Sequence, residues 1–503
     1  MMAAAATSPE RTPVLIGVGE LCDRTNDPYE ALDSLQLMLA SLEAAEQDAG
    51  VRLLDRLDWL GVEDQISFPM ADPQERLAAL LPKTPAVRVK TREASGDGPI
   101  QLLNDAANLI GRGEIRIAAI AGGEALRTAG KRAQAELAAG RQPPFNSVAA
   151  TAEALATPLA RRYGLVTPID VYPLYENATR SAWGQSLDEA QAETALIWSG
   201  FSQVAANNPH AWLQRAVPPE DIRTVTDDNR LLSFPYTKLM VANAGVNMGA
   251  ALLVTSLATA RALGVAEDKI VHIGLGAAAH ESDDFLLRDT YTRSVSLEAT
   301  VTEALGRNGL DVADIQHVEL YSCFPCVPKM ARRVLGWPAE RPATVYGGLT
   351  FGGAPVGNCM THAVAQMARK LRADKSTGLV VANGGYATHS HSIVLSGRPL
   401  DHAVFPQDYS VQGIADSRRG QTPELLEFYE GPGTLETYTI PYSRDGAPRF
   451  ATVIGRTPEG KRFVAHVPKE DQHMLDLLTC KQGDPIGTPG TVTRSGEMNI
   501  WHA

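Results

Sequence analysis

At 503 residues, with 44% hydrophobic and 21% charged side chains, the chain is too long for one small core and is composed like an ordinary globular protein of two or three domains. Lys plus Arg total 46 against 58 Asp plus Glu, a net charge of −12, which excludes general nucleic-acid binding because that needs basic surface; an anionic ligand would have to be held locally. The cysteines, Cys22, Cys323, Cys326, Cys359 and Cys480, are too few and scattered for a disulfide framework and read as cytoplasmic.

The start, M-M-A-A-A-A-T-S-P-E-R-T-P, has neither a basic leader nor a long apolar core and reads as a loose tail. Pro13 to Gly19 is an apolar run ending in glycine, a buried strand, and Pro28 to Gly50 follows as a helix with Leu32, Leu35, Leu37, Leu39 and Leu42. Trp59 to Val62 and Leu77 to Leu81 continue the strand, helix, strand alternation of an α/β fold with a mostly parallel sheet. Arg92 to Pro99 sets glycines and a proline before a helix, Ile100 to Ile110; the strand Ile115 to Ala121 then ends in Gly122-Gly-Glu-Ala125. From about Leu126 to Leu239 the composition turns helical, and Ser186-Leu-Asp-Glu189 forms a capping box for a helix carrying Trp198, Phe201 and Val204. Such an excursion covers a site. The uncharged stretch Leu239 to Ala260 contains Asn243, Asn247, Gly245 and Gly249, which lipid would not support, so it reads as a buried element and not a membrane span.

The second half restarts at Val246 and continues with the strand Ile270 to Leu275, a helix presenting Leu297, Val301 and Leu305, and the strand His317 to Tyr321. Val345 to Asn358, V-Y-G-G-L-T-F-G-G-A-P-V-G-N, is a glycine-rich loop suited to wrapping a ligand. Pro355 opens a helix running through Val364, Met367 and Leu371, whose outward-facing amides would favour negative charge. The strand Leu379 to Ala382 and the turn Gly384-Gly385-Tyr386-Ala387 repeat the pattern at 117–125, which indicates an internal duplication. After Leu400, short runs at Glu436–Ile440, Phe450–Ile454 and Arg462–Val467, separated by Asp445-Gly446 and Glu459-Gly460, predict a small β-rich domain resembling an OB barrel, with its aromatic residues in the core.

Together these motifs resemble the thiolase superfamily, in particular the sterol-carrier-protein-type thiolases and the thiolase-like proteins of type 1. Glu93-Ala-Ser-Gly96 is similar to the Cys-x-Ser-Gly nucleophile turn, and Gly122-Gly-x-Glu124 to the Gly-Gly-x-Glu strand end. Tyr321-Ser-Cys-Phe324 is similar to the Asn-Glu-Ala-Phe or His-Asp-Cys-Phe loop, Gly353-Ala-Pro-Val-Gly357 to Gly-His-Pro-x-Gly, and Asn247-Met-Gly-Ala-Ala251 to Asn-Asp-Gly-Ala-Ala. The resemblance implies a duplicated, five-layered α/β thiolase fold of two βαβαβ halves: 12–245 including a helical loop domain at about 126–240, then 246–400, then an extra C-terminal domain at 401–503. It also implies acetyl-CoA acetyltransferase-like ancestry, with CoA or acyl-CoA as ligand, no permanently bound cofactor or metal, a protein partner acting on the ligand, and dimerisation through the first half.

Ordinary thiolase chemistry needs a nucleophilic cysteine, a second cysteine and an oxyanion-holding histidine. The matching positions here are Glu93, Ala382 (or, one place on, Asn383) and Ala354, with Tyr321 in the Asn/His loop. Loss of one oxyanion donor alone costs about a hundredfold to a thousandfold. The resemblance therefore implies a protein that binds CoA or acyl-CoA without ordinary thiolysis, its ligand held near Ser95, Gly96, Gly352, Gly353, Pro355, Asn383, Gly384 and Gly385, where backbone amides could still hold a thioester carbonyl. The alternative is an aldolase cleaving 3-hydroxyacyl-CoA with Tyr321 and Tyr386 as base and acid. Cys323-Phe-Pro-Cys326 has the form of a redox pair but falls in the Tyr-Ser-Cys-Phe loop. His389-Ser-His391 lacks a third metal ligand nearby. Gly123 to Lys131 departs from a P-loop in spacing, and Ser95 reads as a turn hydroxyl.

Overall fold

In the computed structural model, which describes residues 8–481 and 483–503, the first apolar run is strand β1 (Pro13–Cys22); residues 1–7 of the expected tail lie outside the described residues. Its alternation splits two cores: Val14 and Ile16 face helix α1 (Ser34–Ala49), while Leu15 and Val18 face the interior of the molecule. Helix α1 begins later than expected, because Asp33 and Gln36 form a reciprocal cap. Strand β2 (Trp59–Val62), helix α2 (Pro73–Leu80), strand β3 (Val87–Lys90), helix α3 (Gly98–Arg112) and strand β4 (Ile117–Glu124) follow. The strand expected at Leu77–Leu81 is instead the end of α2: Leu77, Ala78 and Leu81 are buried at helical spacing behind Pro73, and β3 takes the third strand position.

The excursion contains α4 (Leu126–Ala138), α5 (Val148–Leu155), α6 (Pro158–Arg162), α7 (Pro168–Ala182), α8 (Leu187–Ala206) and α9 (Pro219–Arg223). The Ser186/Glu189 box caps α8 as expected. The excursion ends in a hairpin that the periodicity did not reveal, β5 (Leu231–Ser233) and β6 (Tyr236–Thr237). The uncharged stretch at 239–260 is largely strand β7 (Met248–Ser256) and the start of α10 (Leu257–Ala262); no helix among the described residues is long and apolar enough to cross a membrane. Then come β8 (Val271–His280), α11 (Val295–Arg307), β9 (His317–Leu320), α12 (Cys326–Leu335), α13 (Cys359–Asp374), β10 (Thr377–Gly384) and β11 (His389–Ser396).

The duplication is written in the strand order, β3-β2-β4-β7-β1-β8-β11-β10-β9, which is symmetric about the β1/β8 seam. On one side β7 runs antiparallel to β1 and β4, with β2 parallel to β4; on the other β11 runs antiparallel to β8 and β10, with β9 parallel to β10. Strand β7, which the sequence places at the opening of the second half, thus completes the first half's share of the sheet. Helices α3 and α13 contact strands of both halves and form the middle layer; α1 and α2 cover the first half outside and α11 the second, giving five layers.

The second half has no counterpart of β3 among the described residues. Only a hydrogen bond from the Leu320 amide to the Ala343 carbonyl (3.0 Å) marks its place. The segment is held instead by buried Glu319, whose carboxylate accepts from Thr344 Oγ1 (2.8 Å), Val345 N (2.8 Å) and Tyr346 N (3.1 Å). Thr344 Oγ1 in turn accepts from the amides of Gly347 and Gly348. One carboxylate therefore orders the start of the glycine-rich loop.

Beyond α14 (Gln412–Arg418) and β12 (Leu425–Leu426), strands β13 (Gly431–Thr439), β14 (Ala451–Arg456), β15 (Arg462–Val467), β16 (Pro489–Ser495) and β17 (Met498–His502) close into a ring in the order β13-β14-β15-β17-β16, with α15 (Gln472–Leu478) between β15 and β16. This five-stranded barrel is OB-like, and Tyr438, Phe463 and Trp501 fill its interior. It docks on the α/β body through Arg462, which is held by Glu436 and donates to the carbonyls of Leu286 (2.8 Å) and Arg288 (2.6 Å).

Burial pushes the Glu319 carboxyl up to about 7 from its ordinary 4.5. A folded-state value above the unfolded one means that this group's stabilisation is full below pH 4.5 and is lost as pH rises through about 7. Denaturant titrations at pH 5 and pH 8 should show the stability of Glu319→Gln gaining on the parent by up to about 3 kcal/mol at the higher pH. A gap that does not change with pH would show that Glu319 does not titrate against the fold.

Candidate functional site

The segments singled out by their glycines do converge. The loop before α3, the Tyr321–Phe324 loop after β9, the turn before α13 and the turn after β10 meet where the middle layer begins. A Cβ on Gly96 would lie 2.5 Å from both the Tyr321 hydroxyl and the Asn383 carbonyl oxygen. One on Gly384 would meet the side chains of Asp97 and Ser95, and one on Gly357 would meet the Glu63 carboxylate and lie 2.8 Å from the Ser95 amide. Buried Glu63, at the end of β2, accepts from Ser95 N (2.9 Å), and burial raises its pKa well above the ordinary carboxyl value.

These glycines serve internal packing. The loop amides are committed too: Leu349 N donates to Ser322 Oγ (3.0 Å), Ala354 N to the Asn243 carbonyl (2.9 Å), and Gly352 N to the Gly347 carbonyl. Gly352 packs on the Tyr346 ring and Gly353 on Met248, while Gly347 and Gly348 pack on Ala205 and Phe201 of α8. Pro355 opens a short 3-10 turn, and α13 starts only at Cys359. In this loop the amides of Leu349, Gly352 and Ala354 are therefore spent on the protein, and the glycines make close contacts within it.

What the loops enclose is a cavity of about 570 Å³. Tyr321, Cys323 and Phe324 form one wall and Leu349, Ala354 and Val356 another; the excursion adds Val148 and Ala149 of α5 and Thr167–Asp170 at the start of α7. It adjoins a second cavity of about 620 Å³ that shares Arg230, Leu232, Val241, Ala242 and Ala244 with it and adds Lys238, Asp227 and Arg444. The first chamber is mostly apolar and carries Arg230 and Arg449; the second, sharing Arg230, carries Lys238 and Arg444. Tyr321 is 8% exposed, and burial raises its phenol well above 10; the Cys323 thiol is pushed up to about 12 by the same cause.

Other expected positions lie elsewhere. Glu93 and Ser95 line a polar hollow of about 390 Å³ with Arg92, Asp97, His280, His389 and His391, which shares no lining residue with the apolar cavity. Ser95 Oγ donates to Asp97, as a turn hydroxyl does. Ala382 is buried within β10, opposite His391. Asn383 donates to the Tyr172 hydroxyl (3.0 Å), which itself donates to the Gly385 carbonyl (3.0 Å). Tyr386 does not join Tyr321: its hydroxyl donates to the Val166 carbonyl (2.6 Å) and its ring meets Phe285 edge-on.

His389 pairs with Asp283 (2.9 Å) and His391 Nε2 with Asn104 (2.7 Å), and among the described residues no group of three or more His, Cys, Asp or Glu is placed to hold a metal. Cys326 is buried at the start of α12 with its thiol raised, the reverse of an activated redox cysteine. Lys131 donates to the Asn26 carbonyl (2.6 Å), so the P-loop-like stretch serves packing. Sequence reasoning missed Arg230, Lys238, Arg444 and Arg449, which come from distant segments; the turn signal at Asp445-Gly446 pointed beside Arg444 without giving its position in space.

Comparison with known proteins follows this geometry. The family described as the thiolase-like protein type 1 additional C-terminal domain matches residues 416–497, which include the barrel strands β13 to β16. The chain is similar to a monomeric SCP2-thiolase like protein type 1 from Mycobacterium smegmatis: 30% identity over 98% of this chain and 99% of that one, TM-score 0.83. The Ltp2-ChsH2(DUF35) aldolase (19% identity, 78% of this chain and 99% of that one, TM-score 0.58) shares the fold. So does human mitochondrial 3-ketoacyl-CoA thiolase in complex with CoA (12%, 78% and 100%, TM-score 0.58). No curated protein matches the sequence.

The packing of Gly96 is directly testable. Gly96→Ala should lower stability by about 2–4 kcal/mol, because Tyr321 must shift. Gly130→Ala, in the exposed face of α4 with nothing within 4 Å of the added methyl, should raise it by up to about 1 kcal/mol. Denaturant midpoints of the pair check this, and equal effects would contradict the close contact.

Proposed function

The chain belongs to the SCP2-thiolase-like proteins of type 1, and from that premise we propose that it binds CoA or an acyl-CoA in the paired cavities beside Tyr321 without performing ordinary thiolysis. The carrying observation is the make-up of the wall. Ala354 presents a methyl where the resemblance places the oxyanion-holding histidine, and Glu93, in the nucleophile position, faces a different hollow. An apolar chamber opening on Arg230 suits an acyl or pantetheine arm with phosphates at its mouth. The thiol in this wall, Cys323, is pushed up to about 12 by burial, which disfavours the thiolate a nucleophile needs.

Aldol cleavage is the weaker reading. Tyr321 lines the cavity, but Tyr386 gives its hydroxyl to Val166, and burial raises its phenol to about 12, unfavourable for a base. We favour a carrier or sensor role, or service to an active enzyme acting on the bound ligand. A monomer is favoured over the dimer that the resemblance implies, because the similar protein from Mycobacterium smegmatis is described as monomeric.

Calorimetric titration with CoA, acetyl-CoA and a long-chain 3-hydroxyacyl-CoA, with thiolysis and aldol cleavage assayed on the same preparation, should give binding without turnover. Cleavage of the hydroxyacyl ester that disappears in Tyr321→Phe would overturn this in favour of the aldolase. Absence of binding by all three would sink both readings.

A further inference from the structure

The β13–β14 connection belongs to the extra barrel domain, yet it is built into the wall of the cavities. Its base continues the β5 hairpin of the excursion: Phe234 N donates to the Ile440 carbonyl (2.9 Å) and Tyr442 N to the Leu232 carbonyl (2.9 Å), with Ser233 bridging Pro441. The segment then turns back on itself. Ser443 N donates to the Ala447 carbonyl (2.9 Å) and Arg449 N to the Pro441 carbonyl (2.9 Å), with Gly446 supplying a φ of 82° at the tip. This small hairpin, 441–449, is thus fixed by backbone pairing at the point where it meets the thiolase-like body.

The hairpin delivers charge. Arg444 lines the second chamber with Arg230 and Lys238, while Tyr442 and Arg449 line the first one with Arg230, which borders both. Among the described residues the side chains of Arg230, Lys238 and Arg444 form no hydrogen bond or ion pair; Arg449 has the Phe450 ring, 5.5 Å away, and acts on the Asp170 carboxyl by charge without forming an ion pair. Elsewhere in the same domain the arginines are spent: Arg456 and Arg462 both pair with Glu436 at 2.7 Å. Of the two carboxylates lining the chambers, Asp170 is engaged by the amide and hydroxyl of Thr167, and Asp227 lines the second chamber without forming an ion pair with its cations. A chain of net charge −12 has therefore kept four cations with no anionic partner within ion-pair distance around one opening.

We propose that the 441–449 hairpin of the additional domain is the phosphate-holding wall of the ligand site, with Arg444 and Arg449 acting with Arg230 and Lys238 on the diphosphate and nucleotide phosphate of a CoA-class ligand. The proposal rests on the acyl-CoA reading and extends it: the additional domain selects for the nucleotide end of the ligand, while the α/β body takes the pantetheine and acyl end. Removal of these charges weakens phosphate recognition and leaves the apolar chamber intact.

The test compares CoA with pantetheine, which lacks the phosphates, by calorimetry on the full chain carrying Arg444→Glu and Arg449→Ala. Both arginines are exposed, so the fold should persist; Arg444→Ala alone replaces the double variant if its melting temperature falls. CoA should bind at least about tenfold more weakly, with a shallower salt dependence, while pantetheine changes by less than about twofold. CoA affinity that is unchanged in the variant, or a parent that binds CoA no better than pantetheine, would overturn the hairpin's role and leave the cavity reading standing. A parent that binds neither would overturn both.

Discussion

Where α3 and α13 begin, loops from the two halves pass within contact distance because Gly96, Gly357 and Gly384 carry no Cβ. Glu63, Ser95, Asp97, Tyr321 and Asn383 occupy the space that side chains at those glycines would need. The result is backbone packed on buried polar groups, which must then find partners from within. The Tyr172 hydroxyl on Asn383, Gly385 and Ala387 does this in full, whereas Glu63 takes the Ser95 amide on one oxygen and leaves the other unpartnered. Tyr321 is held in the cavity wall as a consequence of that packing.

The same closeness sets the electrostatics. A site made by burying loops against each other is dry at its base, so Glu63, Tyr321 and Cys323 are pushed toward their neutral forms. Neutral phenols and thiols next to aliphatic walls make a good pocket and a poor source of nucleophiles. Charge is kept on the chamber walls by Arg230, Lys238 and the hairpin arginines. The combination of apolar walls with these cations fits an amphipathic, anionic ligand.

The barrel is tied to this arrangement by polar contacts with loops and helices of the body. Arg462, itself buried against Glu436, caps the carbonyls of Leu286 and Arg288; Thr437 donates to the Leu174 carbonyl, and Asn177 to the Tyr438 carbonyl. Helix α7 is therefore gripped by the barrel on one side, while its Tyr172 holds the Asn383–Ala387 turn on the other. The additional domain thus bears on the cavity both through its hairpin and through α7.

How much of this was legible depends on the range of the interaction involved. Strands, helices, caps and the duplication follow from local periodicity and from residues such as Ser186 and Glu189, whose partners lie within one helical turn. The β-rich C-terminal domain likewise declared itself through short runs and Asp-Gly and Glu-Gly turns. Leu77–Leu81 misled because a short apolar run fits either period until Pro73 is seen to open a helix. The sequence alone also determined that a Glu at 93 and Ala at 354 and 382 cannot supply a thiolate or an imidazole wherever they sit. Only the tertiary structure decided that β7 closes the first half's sheet, that Glu93 faces a separate hollow, that Tyr386 turns toward Val166, and that a barrel hairpin carries arginines to the cavity. Each of those depends on pairing between segments far apart in the chain, and no local pattern encodes which of two faces a loop will turn to its neighbour.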